Sequence, residues 1–287
     1  MNGAAFWPDG GRLALSLVVN VEEGAEYNIR DGDKGPEMVD ELGVPLRRPM
    51  RNLSNESNYR YGLNRGAPRV LDLLAGKGVP ATFTAAALAL ERAPDLARRI
   101  IADGHEVCAH GHRWVQQYGF DEAREREFIE QAAASIERTC GRRPMGWLSR
   151  YLCTENTRRL LIEAGYGYHM DDFSDDQPFW DSIDGRPMLI LPYALDTNDM
   201  KLWSDPAYTP NDWLDYLIDT FEVLYDEGAS EARMMSVGVH LRIIGRPGRI
   251  GLLEKFIDHA QARPGVWFAT RAAIAEHWAV RNPFPGA

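Results

Sequence analysis

The stretch "LALSLVVNVEEG", from Leu13 to Gly24, forms the first element of the predicted architecture. It is apolar apart from one serine and one asparagine until it ends at two consecutive glutamates. A short run that is apolar on both faces is typical of a strand buried in a parallel sheet, because helices cover such a sheet on either side. We therefore predict a buried strand over residues 13–21, with a pair of glutamates at its carboxyl end.

The rest of the chain alternates short apolar runs with longer helix-like segments. Strand-like runs include "ATFTAAA" and "RMMSVGVH", whereas "APRVLDLLAGKG" and "DEAREREFIEQAAASIERTCG" have helical periodicity and end at glycine. Strands separated by helices pair in parallel, and seven or eight such units favour a barrel over an open sheet. We predict an α/β fold, an irregular TIM-like barrel, formed by one domain over residues 1–287.

Residues from about 24 to 65 interrupt this alternation. They are polar and show little periodicity, and an insertion of this length in a compact domain is usually a lid, a binding loop or a subunit contact. Tyr27, Tyr59 and Tyr61 favour an ordered cover over the alternative, which is a disordered surface loop.

Composition excludes several classes of partner. The formal net charge of -10 disfavours nucleic acid and anionic lipid, and no basic stripe reverses it locally. No apolar run reaches membrane-spanning length and the first residues lack the pattern of a signal peptide, so we expect a cytoplasmic protein without a membrane partner. Cys108, Cys140 and Cys153 are too few and too scattered for a disulfide framework, which agrees with a reducing compartment.

Polar side chains gather where the predicted strands end. They are Glu22, Glu23, His110, His112, Arg150, Asp171, Asp172, Asp196, Asn198, Asp199, His240 and Arg242. Because the active site of a barrel lies at the carboxyl ends of its strands, we expect many of these side chains to surround one cavity.

Two of these strand ends suggest acid–base chemistry. Side chains alternate along a strand, so one of Glu22 and Glu23 should point inward, where a neighbouring carboxylate and partial burial suit a general base. His240 follows the apolar run "MMSVGV" and is a candidate acid. The alternatives are a solvated acidic loop for the glutamates and a structural role for the histidine.

Several motifs together resemble the polysaccharide deacetylase superfamily. They are "NVEEG", "GHEVCAHGHRW", "GWLSR", "DDFSDDQPFW" and "SVGVHLRIIGRPGR", and the likeness extends from about Trp7 to Trp278. "LPYALDTNDM" and "GRPGR" are similar to a narrower branch, the metal-independent allantoinases and their cyclic-imide hydrolase relatives.

The resemblance implies roles for individual residues. Glu22 and Glu23 occupy the places of two aspartates, one the catalytic base and the other a metal ligand. His240 corresponds to the catalytic histidine, oriented by an aspartate that matches Asp171 or Asp172. Arg150 matches the arginine that contacts the base.

The second deacetylase motif has two metal-binding histidines with three residues between them. Here His110 keeps the first place and Trp114 stands in the second, and an indole offers only an N–H donor and no lone pair. We therefore predict no metal and no other cofactor. In a less favoured alternative, Glu23, His110 and His112 hold zinc.

These assignments predict a hydrolase that opens a small cyclic amide, either a ureide such as allantoin or a cyclic imide. Glu22 deprotonates water, His110 and Arg150 stabilise the oxyanion, and His240 protonates the departing ring nitrogen. The predicted substrate-binding residues are Trp114, Trp147, Asp171, Asp196, Asn198 and Tyr61.

Two other functions stay open at this point. One is a metal-dependent N-deacetylase of amino sugars or oligosaccharides, and the other is a catalytically silent barrel that serves in binding or assembly. The resemblance also implies a homo-oligomer that acts on a small molecule.

Overall fold

The computed structural model describes residues 6–43, 46–204 and 207–285. Within these ranges nine strands form one curled, mostly parallel sheet. The strands are β1 Leu13–Val21, β2 Thr82–Ala85, β3 Glu106–Ala109, β4 Gly146–Trp147, β5 Tyr168–His169, β6 Phe179–Ile183, β7 Arg186–Ile190, β8 Met234–His240 and β9 Val266–Phe268.

Strand β1 lies in the interior of this sheet, as predicted. It pairs in parallel with β2, with β8 and, at its start, with β9, and every one of its residues is buried. Its apolar side chains pack on both faces of the sheet, which accounts for the continuous apolar run. The carboxyl ends of β1 and β8 meet where Asn20 pairs with His240.

The sheet does not close through a continuous ladder. Its order is β6-β7-β5-β4-β3-β2-β1-β8, and among the described residues the gap after β8 is bridged by a single pairing between Asn198 and Gly238. The Gly238 amide donates to the Thr197 carbonyl oxygen at 3.2 Å. This half-open form confirms the prediction of an irregular TIM-like barrel.

Strand β6 is the one antiparallel strand of the described sheet, and it was not predicted from the sequence. It forms a hairpin with β7 through Asp184 and Gly185, whose φ angles are 52° and 74°. An Asp-Gly pair with two positive φ angles is typical of a two-residue hairpin turn. That dipeptide was the signal that could have revealed the hairpin.

Helices cover the outer face of the sheet. They are α1 Leu53–Tyr61, α2 Ala67–Lys77, α3 Ala87–Arg92, α4 Pro94–Ala102, α5 Glu122–Cys140, α6 Thr157–Glu163, α7 Pro210–Glu227, α8 Leu241–Ile244, α9 Pro247–Gln261 and α10 Arg271–Arg281. The predicted glycine end of α2 is confirmed, since Gly78 lies in the left-handed region, and Asp121 caps the start of α5 by accepting from the Arg124 amide. None of the described helices is long and apolar enough to cross a membrane.

The insertion contains a helix that its sequence did not reveal, because α1 has polar residues on most of its surface. After α1 the chain passes through a π-helical turn, Gly62–Gly66, directly into α2. A Cβ at Gly62 would overlap the Glu23 carboxylate, and one at Gly66 would overlap the Leu241 carbonyl oxygen. Glycine therefore allows this turn to pack directly on the ends of β1 and β8.

Candidate active site

A cavity of about 490 Å³ opens at the carboxyl ends of the strands. Several side chains predicted from the strand ends lie in its wall. The lining residues are Asn20, Glu22, His110, Trp114, Leu148, Ser149, Arg150, Tyr151, Leu152, Cys153, Asp171, Phe173, Tyr193, Ala194, Leu195, Asn198, Met200, Lys201, Ser204 and His240.

Glu22 is the carboxylate that faces this cavity, although it is only 1% exposed. Its Oε2 accepts from the Arg242 guanidinium at 2.6 Å, and its Oε1 lies 3.3 Å from His240 Nε2. Burial alone would raise the pKa of Glu22, but the charges of Arg242 and His240 outweigh it and hold the pKa well below the usual range. Glu22 is therefore ionised, with one oxygen directed toward His240.

His240 is held by Asp199. His240 Nδ1 lies 2.7 Å from Asp199 Oδ1, while Asp199 Oδ2 accepts from the amides of His240 and Ile244. Burial would lower the pKa of His240, but the charges of Glu22 and Asp199 raise it to about 9. At neutral pH the ring is an imidazolium, ready to donate a proton.

The orienting aspartate was predicted to be Asp171 or Asp172, and that prediction was wrong. Asp171 accepts from the Ser149 amide, and Asp172 pairs with Arg158 at 2.7 Å. Both follow β5, which does not pair with β8. Asp199 instead follows the bridge that joins its loop to β8, which brings it beneath His240.

The arginine that contacts Glu22 is Arg242, so the assignment of Arg150 to this contact was also wrong. Arg150 lines the cavity, but its guanidinium forms a two-point ion pair with Glu37 at 2.6 and 2.8 Å and stacks 3.6 Å above the Trp114 ring. Arg150 thus ties the insertion to the cavity wall. Arg242 reaches Glu22 from the turn of helix that follows β8.

Glu23 lies behind Glu22 and does not line the cavity. Its carboxylate accepts from the backbone amides of Glu22 and Arg242, at 3.0 and 3.2 Å. Burial raises its pKa to about 7, although the Arg242 charge acts in the opposite direction. The alternation expected for the strand end is present, with one glutamate inward and the other fixed to the backbone.

The side chains at the positions where the family resemblance places a metal do not fit one. His110 Nδ1 lies 2.7 Å from the Leu148 carbonyl oxygen, so this nitrogen carries the proton, and Nε2 accepts from the Trp114 indole N–H at 3.2 Å. The lone pair that a metal would need is thus already in a hydrogen bond. Within the described residues, no group of three potential ligands includes Glu23, His110 or His112.

The same contacts correct the predicted roles of His110 and Trp114. His110 has no free N–H for an oxyanion, because one nitrogen donates to Leu148 and the other accepts from Trp114. Trp114 is 2% exposed, and the Arg150 guanidinium covers its ring. The indole is therefore packed into the cavity wall, and little of its ring face is free to stack on a substrate.

Of the other predicted substrate-binding residues, Asp171 and Asn198 line the cavity and three do not. Trp147 is fully buried against Phe128 and Tyr166, because along β4 and its end Leu148 faces the cavity and Trp147 faces the helices.

The other two lie outside for different reasons. Asp196 accepts from Tyr216 in a separate cleft of about 410 Å³, beside α7. Tyr61 packs against the guanidinium groups of Arg246 and Arg69 on the outside of the insertion.

Asn20 and Tyr193 also meet at the cavity, and neither had a predicted role. The Tyr193 hydroxyl accepts from Asn20 Nδ2 at 2.9 Å and from Asn198 Nδ2 at 3.4 Å. Among the described residues it donates to no protein acceptor, so its proton is available to the cavity. An asparagine inside an otherwise apolar strand was the signal for this group.

One side of the cavity mouth is apolar and exposed. We call it the apolar rim, and it consists of Tyr151, Leu152, Phe173 and Leu195. Each of these side chains is more than half exposed. Tyr151 and Leu152 have φ angles of 43° and 47°, a strained conformation for residues other than glycine that is often found at binding sites.

Comparison with known proteins agrees with this geometry. A family model described as polysaccharide deacetylase matches residues 57–169. A relative from Schizosaccharomyces pombe, which bears a polysaccharide deacetylase name, is 35% identical over 97% of this chain and 93% of its own. The chain belongs to the polysaccharide deacetylase family, as its motifs predicted.

Two solved structures resemble the chain over almost its full length. The crystal structures of PuuE allantoinase and of a probable polysaccharide deacetylase from Pseudomonas aeruginosa PAO1 each have a TM-score of 0.92 and 42% identity. Each match covers 97% of this chain and 94% of the other. These matches confirm the fold and the allantoinase-like branch, and they make the protein a hydrolase that acts on carbon–nitrogen bonds.

Proposed function

We propose that the protein hydrolyses a small cyclic amide, with water activated by Glu22 and without a metal. One observation carries this proposal: the Trp114 indole N–H occupies the His110 nitrogen that a metal would need, while Glu22 and His240 face each other in the cavity. The site keeps its base and its acid, but His110 has no free lone pair to hold a Lewis acid beside Glu22.

The reaction follows from the two protonation states. Glu22 accepts a proton from water, whose oxygen attacks a ring carbonyl carbon, and His240 Nε2 then donates a proton to the ring nitrogen as the carbon–nitrogen bond breaks. The product has a carboxyl group and a free N–H. Glu22 returns its proton to His240 across their 3.3 Å separation, which restores the starting state.

Tyr193 replaces His110 and Arg150 as the proposed oxyanion donor. Its O–H has no other acceptor in the described part of the chain, and two asparagine amides hold its oxygen in place. Burial raises the pKa of Tyr193 above its ordinary value, so the hydroxyl keeps its proton. A donor of this kind contributes about 3 to 4 kcal/mol to transition-state stabilisation.

A cyclic imide or ureide suits a site of this kind better than an acetamide. The nitrogen that leaves such a ring spreads its charge into a neighbouring carbonyl, so it needs less help than the amine released from an acetamide. The apolar rim further favours imides or hydantoins with an apolar substituent over allantoin, since Tyr151 alone in the rim has a hydrogen-bonding group and the polar ureido group of allantoin would lose water against the other three side chains.

The test is ring opening by the chelated protein. We expect hydrolysis of substituted hydantoins or succinimides to survive chelation, and Glu22→Gln to lower kcat by about 10² to 10⁴-fold. Glu130→Gln, on the exposed face of α5, serves as the control and should match the wild type. Acetate release from chitooligosaccharides that returns only with added zinc would support the deacetylase instead.

A further inference from the structure

Three potential metal ligands lie together in the cavity wall, away from Glu22. They are Cys153 in the loop after β4, His169 at the end of β5, and Asp171 just beyond it. One ligand atom from each lies within 4.8 Å of the other two, and in the described part of the chain this is the one such group. Cys153 and Asp171 also line the cavity.

We propose that these three side chains bind a thiophilic divalent cation such as Zn²⁺, and that the bound cation inhibits hydrolysis. Sulfur, imidazole nitrogen and carboxylate oxygen are the donors that zinc takes, with water as the fourth ligand. The inhibitory part rests on the proposed function, because it requires the cavity to be the substrate site. The binding part does not.

A cation can take the place of the protons that these three side chains hold. His169 Nε2 lies 2.5 Å from Asp171 Oδ2, and the cation would enter between these two atoms. The thiol proton of Cys153 leaves to solvent, and the ring proton of His169 moves from Nε2 to Nδ1. A thiolate and a carboxylate then neutralise the two charges of the cation.

Arg158 contacts the His169 nitrogen that must gain a proton when the cation binds, but Arg158 also pairs with two aspartates. Its Nε lies 3.4 Å from His169 Nδ1, a long contact that must open when Nδ1 gains a proton. Its two terminal nitrogens already pair with Asp172 and Asp181, so the guanidinium keeps both ion pairs when this contact is lost.

The three side chains are less suited to covalent catalysis by Cys153. His169 Nε2 already has Asp171 as its partner, and a thiol proton taken at Nδ1 would make a fully buried imidazolium beside the Arg158 cation, which the shift of one ring proton does not do. Burial also raises the pKa of Cys153, which keeps the thiol protonated at neutral pH.

Cobalt reports this site directly, since a cysteine thiolate bound to Co²⁺ gives a charge-transfer band in the near ultraviolet. We expect one equivalent of Co²⁺ to produce the band in the full chain and Zn²⁺ to abolish it by competition. Cys153→Ser should lose the band, whereas Cys140→Ser, which changes another half-buried free cysteine, should keep it. Circular dichroism establishes that both variants fold, and Cys153→Ala provides a second test.

Inhibition is measured as the ratio of activities with and without Zn²⁺ for each variant. Removing the sulfur ligand should raise the inhibitory zinc concentration by about 100-fold or more. A band that persists in folded Cys153→Ser, or is absent from the wild type, overturns the site. A band without inhibition overturns the inhibitory role. If no cyclic amide is hydrolysed, the cobalt result still decides the binding site, so failure of the proposed function is recognised separately.

Discussion

Two sides of the same cavity are built in opposite ways. The first, which we call the charged centre, consists of Glu22, Asp199, His240 and Arg242, and all four are nine-tenths or more buried with their charges opposed. The second is the apolar rim, whose side chains are exposed and carry no charge. The difference separates two tasks, because the charged centre fixes protons and geometry while the rim can change its contacts with little cost to the fold.

The largest expected effect comes from removing a charge from the charged centre. Arg242→Met removes one of the two cations that face the buried Glu22, and breaking a buried ion pair in this way costs about 3 to 5 kcal/mol. The free energy of unfolding in urea measures the loss. Arg98→Met breaks the exposed pair with Asp95 and should change stability by no more than about 1 kcal/mol, so equal losses in the two variants would contradict this view.

The second largest effect is expected from Tyr193→Phe, which should lower kcat. It removes the proposed oxyanion donor and leaves the ring in place, so we expect kcat to fall by about 10² to 10³-fold with little change in KM. Steady-state kinetics on a cyclic imide measures both constants. Tyr216→Phe, which changes the hydroxyl in the separate cleft, is the matched control, and a similar loss there would contradict the assignment.

Stability and kcat should both depend on pH through the protonation of His240. Its folded pKa of about 9 lies above the ordinary value of 6.5, so the charged ring contributes stability that is fully present below pH 6.5 and is lost as the pH rises through 9. The contribution is up to about 3 kcal/mol. Unfolding at several pH values measures it, and kcat should fall over the same upper range.

Asp199→Asn tests the origin of this shift. Removing the Asp199 charge should lower the pKa of His240 and move both pH profiles downward, whereas a purely structural aspartate would lower stability without moving the profile of activity.

The smallest effect is expected at the apolar rim. Phe173→Ser removes apolar surface that a ring substituent would cover, which is worth about 1 kcal/mol, or several-fold in KM. The change should appear with an apolar-substituted hydantoin and not with unsubstituted succinimide. If both substrates respond equally, the rim does not select substituents.

The sequence predicted which positions carry chemistry better than it predicted which of them meet. Glu22 and His240 could be placed because each ends an apolar strand, and strand ends converge in a barrel. Asp199 and Arg242 stood at strand ends as well, yet their partners depend on a bridge between Asn198 and Gly238 and on a helical turn after β8. Such long-range contacts leave no local pattern.

The size of one side chain and the polarity of one helix led to two wrong expectations from the sequence. Trp147 was expected to bind substrate, but an aromatic residue on the helix side of a short strand fills the core. Helix α1 escaped detection because it is held by particular contacts, including those from Asn55 to the carbonyl oxygens of Glu37 and Val39, and not by an apolar face. At the position of the second metal-binding histidine the residue type alone was informative, since Trp114 has no lone pair to offer a metal.

In the part of the chain that the structure describes, one bridge, between Asn198 and Gly238, joins the open side of the barrel next to Asp199. When that bridge opens, His240 loses Asp199, one of the two carboxylates whose charges raise its pKa, and its protonated form becomes less favoured. Hydrogen exchange at the amides of Gly238 and His240 would therefore measure how often this bridge and the contact between Asp199 and His240 open.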